Sequence, residues 1–365
     1  MKITLNFKSI CLVLFMLLAT GFLATAQDCR RLVYAAEEGD YDRVMSMVED
    51  GNKVDCVYNI PGGPRTALNM AATEGHMRIV KYLVENGARV NFHARGDASP
   101  LMSAGSNGHY EIAKYLIGKG ANINKKIMGD GTPLLSAVNG GSVELVELLV
   151  KEGANVNARV IGDGTPLIAA VNEQDTRMVE ILLEAGADPN RGSIGDGSPM
   201  QAAGDNDNEE IVDLLIEHGA RVNRATRGDA SALIKAVQRG SFRTVKSLVE
   251  KGANPNRGID GDGSPLIAAA KNGHYEIAEY LIEEGANVNK EVRGDETPLI
   301  AAAWNGHLDV VKLLIKEGAD PNKFTKEESN FNVEIRSPLK MAQKEGHRDI
   351  VDYLKKHGAT SETKN

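Results

Sequence analysis

From Thr66 onward the chain returns to a serine or threonine every 33 residues, at Ser99, Thr132, Thr165, Ser198, Ser231, Ser264 and Thr297. A period of that length is the mark of supersecondary units that bury their apolar faces against one another, so it fixes the fold class before any helix is assigned. A further copy opens at Ser337, delayed by seven residues, and a degenerate one, RRLVYAAEEGDYDRVMSMVEDG, precedes Thr66. About ten units fill the chain after residue 26.

Each unit is built alike. In TPLIAAAWNGHLDVVKLLIKEGADPN, Thr297 to Asn322, Thr297 is a natural N-cap and Pro298 stands where a helix has no use for an amide hydrogen. Leu299, Ala302 and Ala303 make a short helix with a small-residue face, ended by Gly306. Leu308, Val311, Leu314 and Ile315 space a second amphipathic helix that Gly318 stops, and a loop leads to the next Ser or Thr. The order Thr-Pro-Leu, Ala-Ala, Gly-His, Leu-Leu, Gly-Ala resembles the ankyrin repeat family from about Arg30 to Ala359. The resemblance implies an all-α repeat solenoid, ankyrin-type helix-turn-helix units with projecting loops or hairpins, and recognition through loop tips and inner helices. One departure is systematic. The histidine that follows Thr-Pro-Leu in the family is replaced by Met102, Leu135, Ile168, Ile234, Ile267 and Ile300, so aliphatic packing is expected in place of its hydrogen bonds.

The expected organisation is a signal peptide at 1–26, an N-terminal capping repeat and loop at 27–65, eight regular repeats at 66–330, and a C-terminal capping repeat and tail at 331–365. Lys2 and Lys8 precede the apolar run ICLVLFMLLATGF, and ATA precedes Gln27, the layout of an export signal cleaved near Ala26/Gln27. That run is shorter than the roughly 20 residues that span a bilayer, and no later segment is long and apolar enough. The expected location is periplasmic or secreted, with no membrane span in the mature chain. Cys29 and Cys56 remain after cleavage. In an oxidising compartment that pair admits a disulfide, and equally two separate thiols.

Net charge is −8, and removing Lys2 and Lys8, the only charges in the first 26 residues, leaves −10. An acidic chain repels phosphate backbones, which argues against nucleic acid. Before each capping residue lies a recurring word, Gly-Asp-Gly in VIGDGTPLIAA, that puts Asp97, Asp130, Asp163, Asp196, Asp229, Asp262 and Asp295 in one column. Calcium needs several oxygens at about 2.3 to 2.6 Å, and one acid per repeat does not supply them. A phosphate needs free amides where these helices begin with proline. The word therefore reads as a turn, glycine permitting positive φ and aspartate accepting from downstream amides. Lys125, Arg191, Arg224, Arg257 and Lys290, five residues ahead, are candidate partners for the acids. A row of acids beside the recognition face would favour a protein with a basic surface.

His76, His109, His274, His307 and His347 occur one per repeat in the Gly-His turn, the pattern of turn capping and not of zinc. No catalytic constellation and no cofactor site is expected. The middle copies depart from the turn pattern in NEQDTRM and GDNDNEEIV, concentrating Glu173, Asp175, Asp205, Asp207, Glu209 and Glu210, which suit helix N-termini. Trp304 is the only tryptophan, a candidate interface anchor or a side chain packed locally against Tyr280 or another neighbour. Lys323 to Ser337 holds the seven extra residues. The sequence thus reads as a non-catalytic, monomeric scaffold for another protein. The alternatives are an envelope stress or toxin and immunity component that masks a target, and a small-ligand receptor or enzyme using the concave groove.

Overall fold

The computed structural model describes residues 27–60, 63–94, 97–129, 131–160, 164–192, 197–224, 230–293, 296–329 and 332–360. The expected signal peptide at 1–26 and the last five residues lie outside them. The chain divides after Ala169 into two compact units.

The capping serines and threonines set where helices begin. Thr66, Ser99, Thr132, Thr165, Ser198, Ser231, Ser264, Thr297 and Ser337 are all buried, and each side-chain oxygen accepts from the backbone amide three residues on, at 3.1 to 3.3 Å. Such caps are worth about 1 kcal/mol each.

In the first unit α1 (residues 27–38) and α2 (Tyr41–Glu49) lead into a hairpin of β1 (Tyr58–Ile60) and β2 (Gly63–Arg65). The pairs α3 (Ala67–Thr73) with α4 (Met77–Glu85), α5 (Pro100–Ser106) with α6 (Tyr110–Gly118), and α7 (Pro133–Asn139) with α8 (Val143–Lys151) follow. The division falls inside α9 (Pro166–Asn172), whose partner is α10 (Thr176–Glu184). The second unit continues with α11 (Pro199–Asp205), α12 (Glu209–Glu217), α13 (Ala232–Arg239), α14 (Phe242–Glu250), α15 (Pro265–Asn272) and α16 (Tyr275–Glu283). It ends with α17 (Pro298–Asn305), α18 (Leu308–Lys316), β3 (Thr325–Ser329), β4 (Asn332–Arg336), α19 (Pro338–Glu345) and α20 (Arg348–Lys356).

First helices stack on first helices: α3 on α5 and α5 on α7 in one unit, and α11, α13, α15, α17 and α19 in order in the other. The leucine two residues past the cap drives the stacking. Leu68, Leu101 and Leu134 in the first unit, and Leu233, Leu266, Leu299 and Leu339 in the second, are at most 3% exposed. Burying each is worth about 1.5–3 kcal/mol. Fold class is thus an all-α repeat solenoid, with strands confined to two short antiparallel hairpins among the described residues.

The segment Lys323 to Ser337 carries the β3–β4 hairpin, with Thr325 opposite Arg336 and Ser329 opposite Asn332. Among the described residues no helix is long and apolar enough to cross a membrane.

Candidate functional site

The Gly-Asp-Gly word is a pinched turn. Ile127 and Gly131 exchange backbone hydrogen bonds at 3.0 Å in each direction, and Ile259 and Gly263 do so at 2.9 and 3.0 Å. Val160 and Gly164 form the same bridge. Both glycines of the word are left-handed, Gly129 and Gly131 at φ +90° and +85°, Gly261 and Gly263 at +86° and +74°. The second glycine has a further reason. A Cβ there would stand 2.9 Å from Leu135 Cδ2 at Gly131 and 2.9 Å from Ile267 Cγ2 at Gly263. Those aliphatic residues occupy the place of the family's histidine, so the substitution and the glycine belong together.

Where that column is polar, it reaches across the loop. Asn69 Nδ2 donates to the Ala98 carbonyl (2.8 Å) and Ser103 Oγ (2.9 Å), and Gln201 Nε2 donates to the Ala230 carbonyl (2.6 Å). Both recipients lie in loops that read Asp-Ala and not Asp-Gly ahead of the cap.

The acidic column is not uniform. Asp97 is 2% exposed, and its Oδ1 accepts from Arg65 Nη1 at 2.6 Å. It is therefore a buried acid, and its cation comes from the preceding hairpin. Asp262 is half-buried, and among the described residues Arg257 makes no ion pair with it. Asp130, Asp163, Asp196, Asp229 and Asp295 lie outside the described residues. A matching clamp closes the other hairpin. Arg336, directly before the Ser337 cap, donates from Nη1 to Glu296 Oε1 at 2.6 Å, both 16% exposed. At each hairpin an arginine just ahead of a helix cap thus grips an acid in the adjoining repeat.

Trp304 belongs to this second clamp. The Arg336 guanidinium lies 4.7 Å from its ring centroid and Lys344 Nζ 5.6 Å, while Nε1 donates to Glu345 Oε1 at 3.2 Å. It packs locally, but not on Tyr280, which meets Phe242 edge-on at 5.6 Å. Cation–π contacts of this kind are worth about 0.5–2 kcal/mol. The half-buried indole pins hairpin and α19 together.

Cys29 and Cys56 are joined as a disulfide with Cα atoms 5.8 Å apart, tying α1 to the loop ahead of β1. Cys29 packs with Val33 and Met70, against Tyr58.

The turn histidines join repeats. His76, His109, His307 and His347 place Nε2 at 2.9, 2.9, 3.1 and 3.0 Å from the carbonyls of Glu37, Thr73, Lys271 and Trp304, each on the preceding repeat. The middle copies cap directly, Asp175 accepting from the Met178 amide (2.9 Å) and Asn208 from that of Ile211 (3.1 Å). Their acids are also spent on the next repeat. Asp205 pairs with Arg239 at 2.7 Å, Asp207 accepts from Thr244 Oγ1 at 2.8 Å, and Asp213 pairs with Lys251 at 2.9 Å. The hydrogen bond that Lys251 donates to Asp213 keeps its ammonium protonated to higher pH than usual. Gln174 and Asp207 stand where other repeats have glycine, at φ +57° and +53°, an arrangement that costs of order 1–3 kcal/mol per residue.

Sequence reasoning missed one column entirely. Asn91, Asn124, Asn190, Asn223, Asn256, Asn289 and Asn322 each staple their repeat to the next. In Asn256, Nδ2 donates to the Gly285 carbonyl and Oδ1 accepts from the Asn287 amide, both at 2.7 Å. The others repeat this pair of bonds at 2.7 to 3.2 Å. In the first repeat Asp55 substitutes, accepting from the Arg89 amide (3.1 Å) and Nε (2.7 Å). The signal was visible as an asparagine every 33 residues.

What projects is small. Met128, in the turn at the tip of the Ile127–Gly131 bridge, is 90% exposed. Among the described residues no group of three His, Cys, Asp or Glu is placed to hold a metal ion.

The model of ankyrin repeats matches residues 32–127, 128–193, 194–259 and 257–325. The chain belongs to the ankyrin-repeat family. Among solved structures, 519 chains match this one. One is the crystal structure of the human ASB11 ankyrin repeat domain, 29% identical with a TM-score of 0.54, covering 61% of this chain and 98% of that one. No curated protein matches the chain. Ankyrin repeats as a class point to a protein-interaction scaffold. In this ankyrin chain the asparagine and histidine contacts join one repeat to the next.

Proposed function

We propose that this chain is a non-catalytic ankyrin scaffold, about ten repeats long and monomeric, that binds another protein in an extracytoplasmic compartment. The observation that carries the binding reading is the contrast between repeat bodies, where residues such as His109, Asn256 and Asp213 are spent on neighbouring repeats, and a tip such as Met128, 90% exposed beside the Ile127–Gly131 bridge. A partner that reads the tips meets that apolar side chain and the acids beside it in sequence. A basic surface on the partner suits the net charge of −8. Export is supported by the Lys-flanked apolar run before ATA and by the Cys29–Cys56 pairing, which persists in oxidising compartments. Asp97, buried against Arg65, is left out of the recognition edge.

The test is capture of partners by the purified protein from an envelope extract, repeated with Asp130, Asp163, Asp196 and Asp229 changed to Asn. A discrete protein partner that the neutralised variant loses supports the acidic edge, and unchanged capture removes that edge from the account. Turnover of a small molecule by the purified protein overturns the scaffold reading.

A further inference from the structure

Among the described residues the methionine thioethers are shielded, with one exception. Met70, Met102, Met178, Met200 and Met341 are at most 5% exposed, and Met45, Met47 and Met77 are half-buried on α2 and α4. Met128 is 90% exposed. The cysteines are shielded in another way, since Cys29 and Cys56 already form a disulfide.

The turn that carries Met128 keeps its shape without that side chain. Ile127, 7% exposed, is the residue that packs inward, and its backbone amide and carbonyl are both bonded to Gly131. Gly129 and Gly131 take the left-handed torsions, and a Cβ built on Gly129 would meet nothing within 4 Å, so the tip stands clear of other side chains. A buried methionine loses its packing when its sulfur is oxidised, whereas Met128 has almost no packing to lose.

We propose that Met128 is a reversible oxidation site, with a peroxide as the oxidant, that switches this loop tip between an apolar and a polar surface. The thioether sulfur attacks one oxygen of hydrogen peroxide. An S–O bond forms as the O–O bond breaks, the sulfur gives up two electrons, and the second oxygen leaves as water. A reductase carrying two thiols reverses the step: the thiols become a disulfide and the sulfoxide oxygen leaves as water. The sulfoxide puts a strong hydrogen-bond acceptor where a thioether stood, and burying that acceptor against an apolar partner surface without a donor is unfavourable. Because the buried methionines react only when the fold opens, a peroxide alters the tip before it damages the repeats. The effect on binding rests on the reading of the tips as partner contacts, while the oxidation itself is tested without a partner.

The purified protein is treated with dilute hydrogen peroxide, and its peptides are mapped by mass spectrometry over time. The expected result is one added oxygen at Met128, formed roughly tenfold faster than at any of the five buried methionines, with the melting temperature unchanged. Pre-reduced methionine sulfoxide reductases for both sulfoxide epimers, in stoichiometric amount and without free dithiol so that Cys29–Cys56 stays intact, should remove it. In capture from an envelope extract the oxidised protein should retain roughly tenfold less partner, and reductase treatment should restore it. Met128→Leu should capture equally before and after peroxide, and Met128→Gln should behave as the oxidised protein does without it. Oxidation at Met128 no faster than at the buried methionines, a melting temperature that falls in step with it, or undiminished capture by the oxidised protein overturns the switch. If the untreated protein captures no partner, the scaffold reading falls, and the peptide map alone decides the oxidation site.

Discussion

Gly273 offers the sharpest test of how the repeats are joined. It ends α15 at φ +73°, and a Cβ there would stand 2.5 Å from Nδ1 and 2.7 Å from Cε1 of His307. Gly346 has the same place in the last repeat, at φ +81°, with no histidine after it and nothing within 4 Å of a built Cβ. Gly346→Ala therefore carries only the left-handed backbone cost, about 1–2 kcal/mol. Gly273→Ala adds the crowding of the His307 ring, which its bond to the Lys271 carbonyl holds over the glycine, typically about 1–3 kcal/mol more. His307→Ser removes that ring and its 3.1 Å bond to the Lys271 carbonyl, a loss of about 1 kcal/mol. In the double variant the steric term vanishes, while His307→Ser alone reproduces the native pairing of Gly108 with Ser142. Urea unfolding of the four proteins by circular dichroism should give a cycle with coupling of about 1–3 kcal/mol, the double variant being more stable than additivity requires. An additive cycle, or equal losses for Gly273→Ala and Gly346→Ala, would refute ring-over-glycine joining.

Other consequences are as direct. Asp97→Asn should destabilise by about 3 kcal/mol, the low end for a broken buried pair since Arg65 is a quarter exposed, whereas Asp262→Asn in the half-buried turn should stay within about 0.5 kcal/mol; chemical denaturation distinguishes them. Asn256→Ala removes both staple bonds and should cost about 1–2 kcal/mol, with raised amide exchange at Asn287. Reducing Cys29–Cys56, 27 residues apart, should lower the stability of the first unit by about 3–4 kcal/mol, read as lost thermal stability in dithiothreitol. Tyr280 buries a hydroxyl with no partner among the described residues, and burial raises its pKa. The folded value lies above the unfolded one, so the tyrosine's contribution is complete below about pH 10 and is lost as pH climbs through the folded value. Tyr280→Phe should match or exceed wild-type stability at neutral pH and soften the alkaline loss; a clear destabilisation at pH 7 would contradict it.

The period and the caps were legible because they are local: Thr132 caps Leu135 through a bond three residues long, and any copy shows it. The role of the second glycine was half legible, since its left-handed φ follows from residue type while the approach of Leu135 and Ile267 needs coordinates. What the sequence hid are contacts between copies. Asp97 looks like every other acid of its column, and only the Arg65 reaching from β2, a repeat away, shows why it is buried. Trp304 looks exposed until the added hairpin brings Arg336 over it. The Asn256 column was printed plainly at 33-residue intervals, yet an asparagine in a loop reads as a turn residue until the next repeat's Gly285 carbonyl is seen beside it.

The claim that matters most is the proposal that the loop tips meet a protein partner. Photocrosslinking decides it: benzoylphenylalanine is placed at Met128, 90% exposed on its turn, and separately at Lys246 on the exposed side of α14, and each protein is irradiated in a native extract. The account predicts one discrete protein adduct from position 128 and none from 246. Adducts from 246 with none from 128 would contradict it.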